Sequence, residues 1–483
     1  MAVRDATVAW LGADDDGRDR FPDAETQDLQ GALVTPAFVD SHIHLSSTGL
    51  TISGLDLRPA TSRAHCLRLI AEYAARHPSE PIWGHGWDES AWPENVALTT
   101  SELDEVVGDR PAYLARVDVH SALASTALRR RVRDLPPAPD TPLTAEAHHL
   151  VRATARGLLT DLQLAEARTA ALDTLAAAGV AAVHECAGPE IGGLDDWLRL
   201  RDVEHGVEVI GYWGQAVTTA AQARELLALT GARGLAGDLF IDGALGSHTA
   251  WLCEPYADAS HSTGNCYLEP DAVEAHLAAC TQAGIAAGFH VIGDAAVTAA
   301  VDALERVVDQ LGAPAVQRCG HRLEHLEMVT AEQAAKLGSW GVIASVQPNF
   351  DSLWGGATGM YAQRLGPRRA SRLNPLALLA SQGVPLALGS DAPVTGLDPW
   401  ASLRAAINHR TPDSSLTPAV AFDAATRGGW RASGASDGAI GTLAAGAPAS
   451  YAVWDTAGLP DLRLFGVTPG CLQTVHRGAV IHG

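Results

Sequence analysis

The sequence predicts an α/β chain built on a closed (β/α)8 barrel of the TIM type. Three observations carry that expectation. From about Gly179 onward, short β-rich apolar runs alternate with Ala/Leu-rich stretches of helical spacing. Eight such runs are found when the earlier one at 33–39 is included. The residues able to do metal or acid–base chemistry stand at the C-terminal ends of these runs, the face on which such barrels place their sites.

The expected strands are 33–39, 180–184, 207–213, 238–242, 286–291, 321–326, 342–347 and 385–390. Candidate helices fall between them at 218–230, 271–283, 295–311, 330–337 and 375–381. A further helix over 161–178 leads into the second strand, with Thr160 as N-cap and Gly179 as the residue that ends it. The segment from about 51 to 160 interrupts the alternation. It is rich in Trp, Arg and Pro, includes Pro136-Pro137-Ala138-Pro139, and reads as an inserted subdomain over the barrel mouth. Residues 1–32 and 440–483 carry short strand-like runs, at 6–11 and 450–454, and are expected to pair into a small β-domain beside the barrel. The barrel then spans 33–439.

Bulk composition fits this plan. A chain of 483 residues exceeds one ordinary domain but suits a barrel with attachments. With 47% hydrophobic and 19% charged residues it can bury a large core, which excludes a disordered chain. The net charge of -22 repels phosphate backbones and anionic lipid, so the expected partner is a small-molecule substrate rather than nucleic acid or membrane. The same acidity also serves solubility. Seven Cys, odd in number and without a CxxC pair, point to a reduced, cytoplasmic setting. The N-terminal residues show no basic region followed by a long apolar stretch. Among 34 basic residues only one is lysine, Lys336.

His42-Ile43-His44 closes the first apolar run. Side chains two apart on a strand share a face, so this pair offers half of a divalent-metal site. His290 ends the fifth run, in Gly288-Phe289-His290-Val291-Ile292-Gly293-Asp294. His325 ends the sixth, in His321-Arg322-Leu323-Glu324-His325, and Asp391 ends the eighth, in Gly389-Ser390-Asp391-Ala392-Pro393. A lone buried His is more often structural than a ligand. Four His and an Asp at matching strand ends in sequence order are a metal set, and imidazole plus carboxylate suits zinc, with iron or manganese less specifically indicated.

These motifs resemble the amidohydrolase superfamily, and more narrowly its amidohydrolase-3 (YtcJ-like) branch. The resemblance rests on PAFVDSHIHL, HVIGDAA, HRLEH and LGSDAPV, with GHGWDESAW at 84–92, DGALGSHTA at 242–250, VDVHSA around His120 and GTLAAGAPASYAVWD near the C-terminus. It implies a (β/α)8 barrel, a composite β-sandwich from both termini (1–32 and 440–483), metal-assisted hydrolysis of C–N bonds in non-peptide amides, and a homodimer as the assembly.

The chain departs from that family at one position. Many relatives carry a carboxylated lysine at the end of the fourth strand, bridging two metals. Here Gly237-Asp238-Leu239-Phe240-Ile241-Asp242-Gly243 puts Asp238 in that slot, and Asp238 cannot reach the carbamate's position without a backbone shift. The resemblance to single-metal members therefore favours one ion, held by His42, His44, His290 and Asp391, over two ions bridged by Glu185. In this expectation Asp391 takes the proton of the attacking water and returns it to the leaving amine, while His325 donates a hydrogen bond to the oxyanion. Asp294 is a candidate to steady a ligand His from behind, or a plain turn residue. Arg322 is a candidate for a substrate carboxylate, or for neutralising Glu324 or Asp391, the latter being favoured. His120, His248, Trp87 and Asp88 are candidates for the pocket wall, Trp87 also for the insert's own core. Two other readings stay open: a single-metal deaminase of a ring or amidine substrate, and a barrel that has lost catalysis and serves as a scaffold.

Overall fold

The computed structural model describes residues 1–483 except 79, 137–139, 436–437 and 464–467, so the proline-rich run is described only at Pro136. A sheet of eight strands lies at the centre, and every neighbouring pair in it is parallel. In order, its strands are Phe38–Ile43, Val180–Ala187, Glu208–Trp213, Gly234–Leu235, Ala286–Val291, Arg322–His325, Ile343–Val346 and Leu386–Leu388. Sequence order is spatial order. The eighth strand returns to the first: Ile43 bridges Ala392, His44 N–H donates to the Ala392 carbonyl at 2.9 Å, and Asp391 N–H donates to the His42 carbonyl at 2.8 Å. This is the expected barrel, with helices outside and side chains filling the inside, so its strands read as continuous apolar runs.

The helix Asp161–Ala177 starts at the expected cap. Thr160 and Gln163 form a reciprocal capping box, and Gly179 takes a left-handed φ of +80° just beyond the helix. It packs against Leu45–Ser53, which follows the first strand. Gly49 allows the contact, since a β-carbon there would sit 1.8 Å from the Ala167 carbonyl oxygen.

Two expected strands differ. The run at 33–39 divides. Leu33–Pro36 leaves the barrel and pairs antiparallel with Tyr451–Trp454, and the barrel strand begins at Phe38. Pro36 lacks an N–H to donate, and it sits on an edge strand, where that costs nothing. The run at 238–242 is also irregular. The fourth strand proper is Gly234–Leu235. Gly237 turns left-handed (φ +78°), and Leu239 N–H donates back to the Gly237 carbonyl at 2.8 Å. Pairing resumes beyond this turn, where His290 N–H meets the Leu239 carbonyl at 3.0 Å and Ile241 N–H meets the His290 carbonyl at 3.1 Å. The kink is centred on Asp238.

The chain ends come together beside the barrel. Leu33–Pro36, Tyr451–Trp454, Cys471–His476 and Ala479–His482 form an antiparallel sheet. The hairpin Ala2–Arg4/Thr7–Trp10 joins it through Val8 N–H and the Ala447 carbonyl, at 2.8 Å. Between the first two barrel strands lies a five-stranded mixed sheet, Leu55–Asp56, Ile82–Trp87, Ala112–Arg116, Ser121–Ala124 and Leu143–Thr144, with its own apolar core. The helix Ala145–Arg156 follows it and lies along the barrel mouth. All seven cysteines are free thiols, so Cys266 and Cys280 are not paired. Among the described residues, no helix is long and apolar enough to cross a membrane.

An aromatic junction ties the terminal sheet to the barrel. Phe38 meets Trp400 edge-on at 5.4 Å, Trp400 meets Trp454 at 5.1 Å, and Trp454 Nε1–H donates to Thr35 Oγ1 at 2.9 Å. Trp454→Ala is expected to lower stability by about 3–5 kcal/mol, because the ring is buried and its cavity spans two sheets. Denaturant unfolding measures this; a loss under about 1 kcal/mol would show that the junction holds nothing together.

Candidate metal centre

Four imidazoles and two carboxylates converge at the C-terminal mouth of the barrel. Asp391 Oδ1 lies 3.5 Å from His42 Nε2 and 3.4 Å from His44 Nε2. Asp238 stands between the two halves of the group. Its Oδ2 is 3.0 Å from His44 Nε2; its Oδ1 is 3.5 Å from both His42 Nε2 and His290 Nδ1, and 4.0 Å from His325 Nε2. The backbone shift that the short Asp238 side chain needs is the turn at Gly237. His325 and Asp391 adopt left-handed backbone (φ +69° and +52°) where their strands end. Each such residue costs about 1–3 kcal/mol, a strain typical of functional positions.

The other ring nitrogens fix what each imidazole offers. His42 Nδ1–H donates to Glu324 Oε2 at 2.8 Å, and Glu324 is gripped by Arg322, whose Nη2–H donates to the same oxygen at 2.8 Å. Against the upward push of burial, Arg322 and His42 hold the Glu324 carboxyl well below its usual range, so it stays ionised. His325 Nδ1–H donates to Gln347 Oε1 at 2.8 Å, while Gln347 Nε2–H donates to the Ser345 carbonyl, which sets the amide's orientation. His290 Nε2–H faces the Gly243 carbonyl at 3.4 Å. In all three rings the lone pair is therefore turned to the centre.

His42 Nε2, His290 Nδ1, His325 Nε2 and Asp238 Oδ1 are buried and have no hydrogen-bond partner. Each unsatisfied buried polar atom costs about 1–3 kcal/mol. Lone pairs aimed at one space are what a divalent cation satisfies, so this donor set fits a metal. Ligand atoms of His42, His44 and Asp391 lie within 4.8 Å of one another, and so do those of His42, Asp238 and His325.

This arrangement corrects some expectations and, for Arg322, Trp87 and Asp294, selects between the readings left open. His325 does not suit an oxyanion donor: its proton is committed to Gln347, and burial, with His290 and His42 nearby, pushes its pKa down to about 3. Glu185 has its Oε2 engaged elsewhere, accepting from Leu45 N–H at 2.7 Å at the start of the helix after His44, and it is Asp238 that stands among the four imidazoles. Asp294 does not steady a ligand; its Oδ1 accepts from Cys253 and Ala295 N–H. Asp242 holds that place instead, accepting from the N–H groups of Ile292 and Gly293 just after His290. Arg322 is wholly buried against Glu324, His184 and the Tyr212 ring and cannot meet substrate. Trp87 packs in the insert's core and Asp88 binds Arg116, both away from the cavity. His248 pairs with Asp258 at 3.0 Å and stands outside the same cavity. Among the expected pocket residues, His120 does line it, its ring centroid 5.1 Å from that of His290.

The sequence reading missed Gln347 and Asp242, whose roles depend on strands meeting in space. It named Glu324 only as a counter-charge to Arg322. A signal for more was present: Arg322 and Glu324 are two apart on one strand and so share the inward face. Two of the cavities that reach the centre, of about 650 Å³ and 340 Å³, share His120, His290, His325 and Asp391 in their walls, and a wider one is lined by Asp238.

A parallel barrel with such a donor set at its C-terminal mouth defines a metal-dependent hydrolase. Comparison makes the assignment particular: residues 25–482 match the amidohydrolase family described as Amidohydro_3, and the chain belongs to that family, hydrolases of C–N bonds. It is 26% identical to the putative amidohydrolase YtcJ of Bacillus subtilis (strain 168), over 84% of this chain and 79% of that one. It is 24% identical to the N-substituted formamide deformylase of Arthrobacter pascens, over 94% and 89%. Among solved structures, an uncharacterized metal-dependent hydrolase from Pyrococcus furiosus is 26% identical, covers 94% of both chains and superposes with a TM-score of 0.71.

Gln347→Leu removes the acceptor that fixes His325 and leaves the Arg322–Glu324 pair intact. It is expected to weaken metal retention about 10–100-fold, read by competition with a chelator. Retention equal to the wild type would mean that His325 holds no cation.

Proposed function

We propose that this protein hydrolyses a small non-peptide amide, an N-acyl or N-formyl amine, with the help of two divalent cations that Asp238 would help to hold. The single observation behind this reading is the position of Asp238, within 3.0–4.0 Å of all four imidazoles. His42, His44 and Asp391 would hold one cation, and His290 and His325 the other. Six donors exceed what one four-coordinate ion takes while keeping a position open for substrate. That consideration moves the reading from the single ion favoured by sequence to a pair. Zinc is the identity this set of imidazoles and carboxylates favours. The formamide chemistry in the name of the Arthrobacter pascens relative supports the choice of bond.

Bound cations would acidify water and polarise the substrate carbonyl. The remaining steps belong to the chain. Asp391 accepts the proton from the attacking water and delivers it to the departing amine, which a carboxylate at the cavity wall can reach from either side. His120 takes the part first given to His325. Burial, and then His290, push its pKa down to about 3, so it is a neutral imidazole whose N–H can meet the charge developing on the carbonyl oxygen.

Elemental analysis of metal-replete protein should give two equivalents per chain, falling toward one in Asp238→Ala; one equivalent in the wild type would return the reading to a single ion. Asp391→Ala should lower kcat by about a thousandfold or more with its circular dichroism unchanged. A screen over formamides and N-acyl amines should release a carboxylate and an organic amine. Ammonia as the product would indicate a deaminase instead.

A further inference from the structure

Among the described residues, the larger of these two cavities has one Lys or Arg in its wall, Arg152, on the helix Ala145–Arg156 of the inserted unit. Neighbouring arginines are spent on carboxylates: Arg116 on Asp88, Glu89 and Asp118, Arg156 and Arg168 on Asp196, and Arg364 on Asp258. Arg152 makes no ion pair with a carboxylate among the described residues. Its recorded bond is from Nη2–H to the Glu190 carbonyl, which leaves most of its donor fork open. Burial, opposed by Tyr113, lowers its pKa, yet a guanidinium remains charged at neutral pH. A chain of net charge -22 thus keeps a half-buried guanidinium in this wall with no carboxylate in ion-pair contact among the described residues, while Asp238 and Glu190 stand near enough to favour its charge.

The smaller cavity is different in character. Phe350, Trp354, Met360 and Val394 give it an apolar wall, and among the described residues no Lys or Arg lines it. The two cavities meet at His290, His325 and Asp391, where the scissile bond must lie.

We propose that Arg152 selects substrates bearing a carboxylate on one side of the scissile amide, while the apolar cavity receives an uncharged group on the other. The inference rests on the amide-hydrolase reading above and narrows it to N-acylated amino acids and similar anionic amides. The guanidinium fork matches a carboxylate with two parallel hydrogen bonds. This is the contact that the sequence offered for Arg322 as the less favoured of two readings, and the fold encloses Arg322 against Glu324.

The test separates binding from turnover. 3-Benzoylpropanoate has the shape of N-benzoylglycine but no C–N bond to cleave; its methyl ester lacks the charge. Calorimetric titration of the metal-loaded protein should show the acid binding roughly tenfold or more tightly than the ester. Arg152→Gln should erase that difference by weakening the acid alone, and Arg152→Lys should keep part of it. Equal binding of acid and ester, no binding of either, or equal weakening of both in Arg152→Gln would overturn the proposal, since a purely structural role would move both ligands together. Hydrolysis of N-benzoylglycine is measured alongside. An Arg152-dependent preference with no hydrolysis supports this inference while counting against the amide-hydrolase reading.

Discussion

The buried chain Arg322–Glu324–His42 is the constraint around which the site is organised. All three side chains are fully enclosed, so each charge has to find its partner inside the barrel. Breaking such a pair by removing one member typically costs about 3–5 kcal/mol. Arg322 also donates to the Ser41 carbonyl and to Ser345 Oγ, and so laces the sixth strand to the first and seventh. The same contact that stabilises the barrel interior fixes which nitrogen of His42 carries the proton. Stability and ligand geometry here rest on the same atoms.

Much of this was legible in the sequence. The barrel followed from periodicity, and five of the centre's six donors followed from their places at strand ends. These signals are local, a repeating apolar pattern and a polar residue at its boundary, and local signals survive in one dimension. The residues that orient the donors were not legible in the same way. Gln347 acts on His325 from the neighbouring strand, and Asp242 acts across a loop on the backbone after His290. Gln347 stands in none of the motifs that carry the resemblance, and Asp242 opens one of them, DGALGSHTA, which does not by itself reveal the contact it makes. The run at 33–39 misled because one apolar stretch serves two sheets, and only pairing partners more than four hundred residues away reveal where it divides.

Asp238 illustrates how backbone compensates for side chain. A carboxylate on so short a stem reaches the centre because the strand breaks at Gly237 and turns tightly before pairing resumes. The short stem is an obstacle visible in the sequence, and the fold removes it with a three-residue turn. The consequence for chemistry is rigidity: a short side chain on a tight turn has fewer rotamers to lose than a long flexible one.

The split of the first apolar run bears on how the protein is made. Leu33–Pro36 completes its sheet only with strands from the last thirty or so residues of the chain, while Phe38, two positions on, already belongs to the barrel. During synthesis the opening segment must wait for nearly the whole polypeptide to emerge, since closure over so long a loop is slow. The early strand edge stays unsatisfied through that interval, and its shielding on the ribosome becomes a requirement of biogenesis rather than of the finished enzyme.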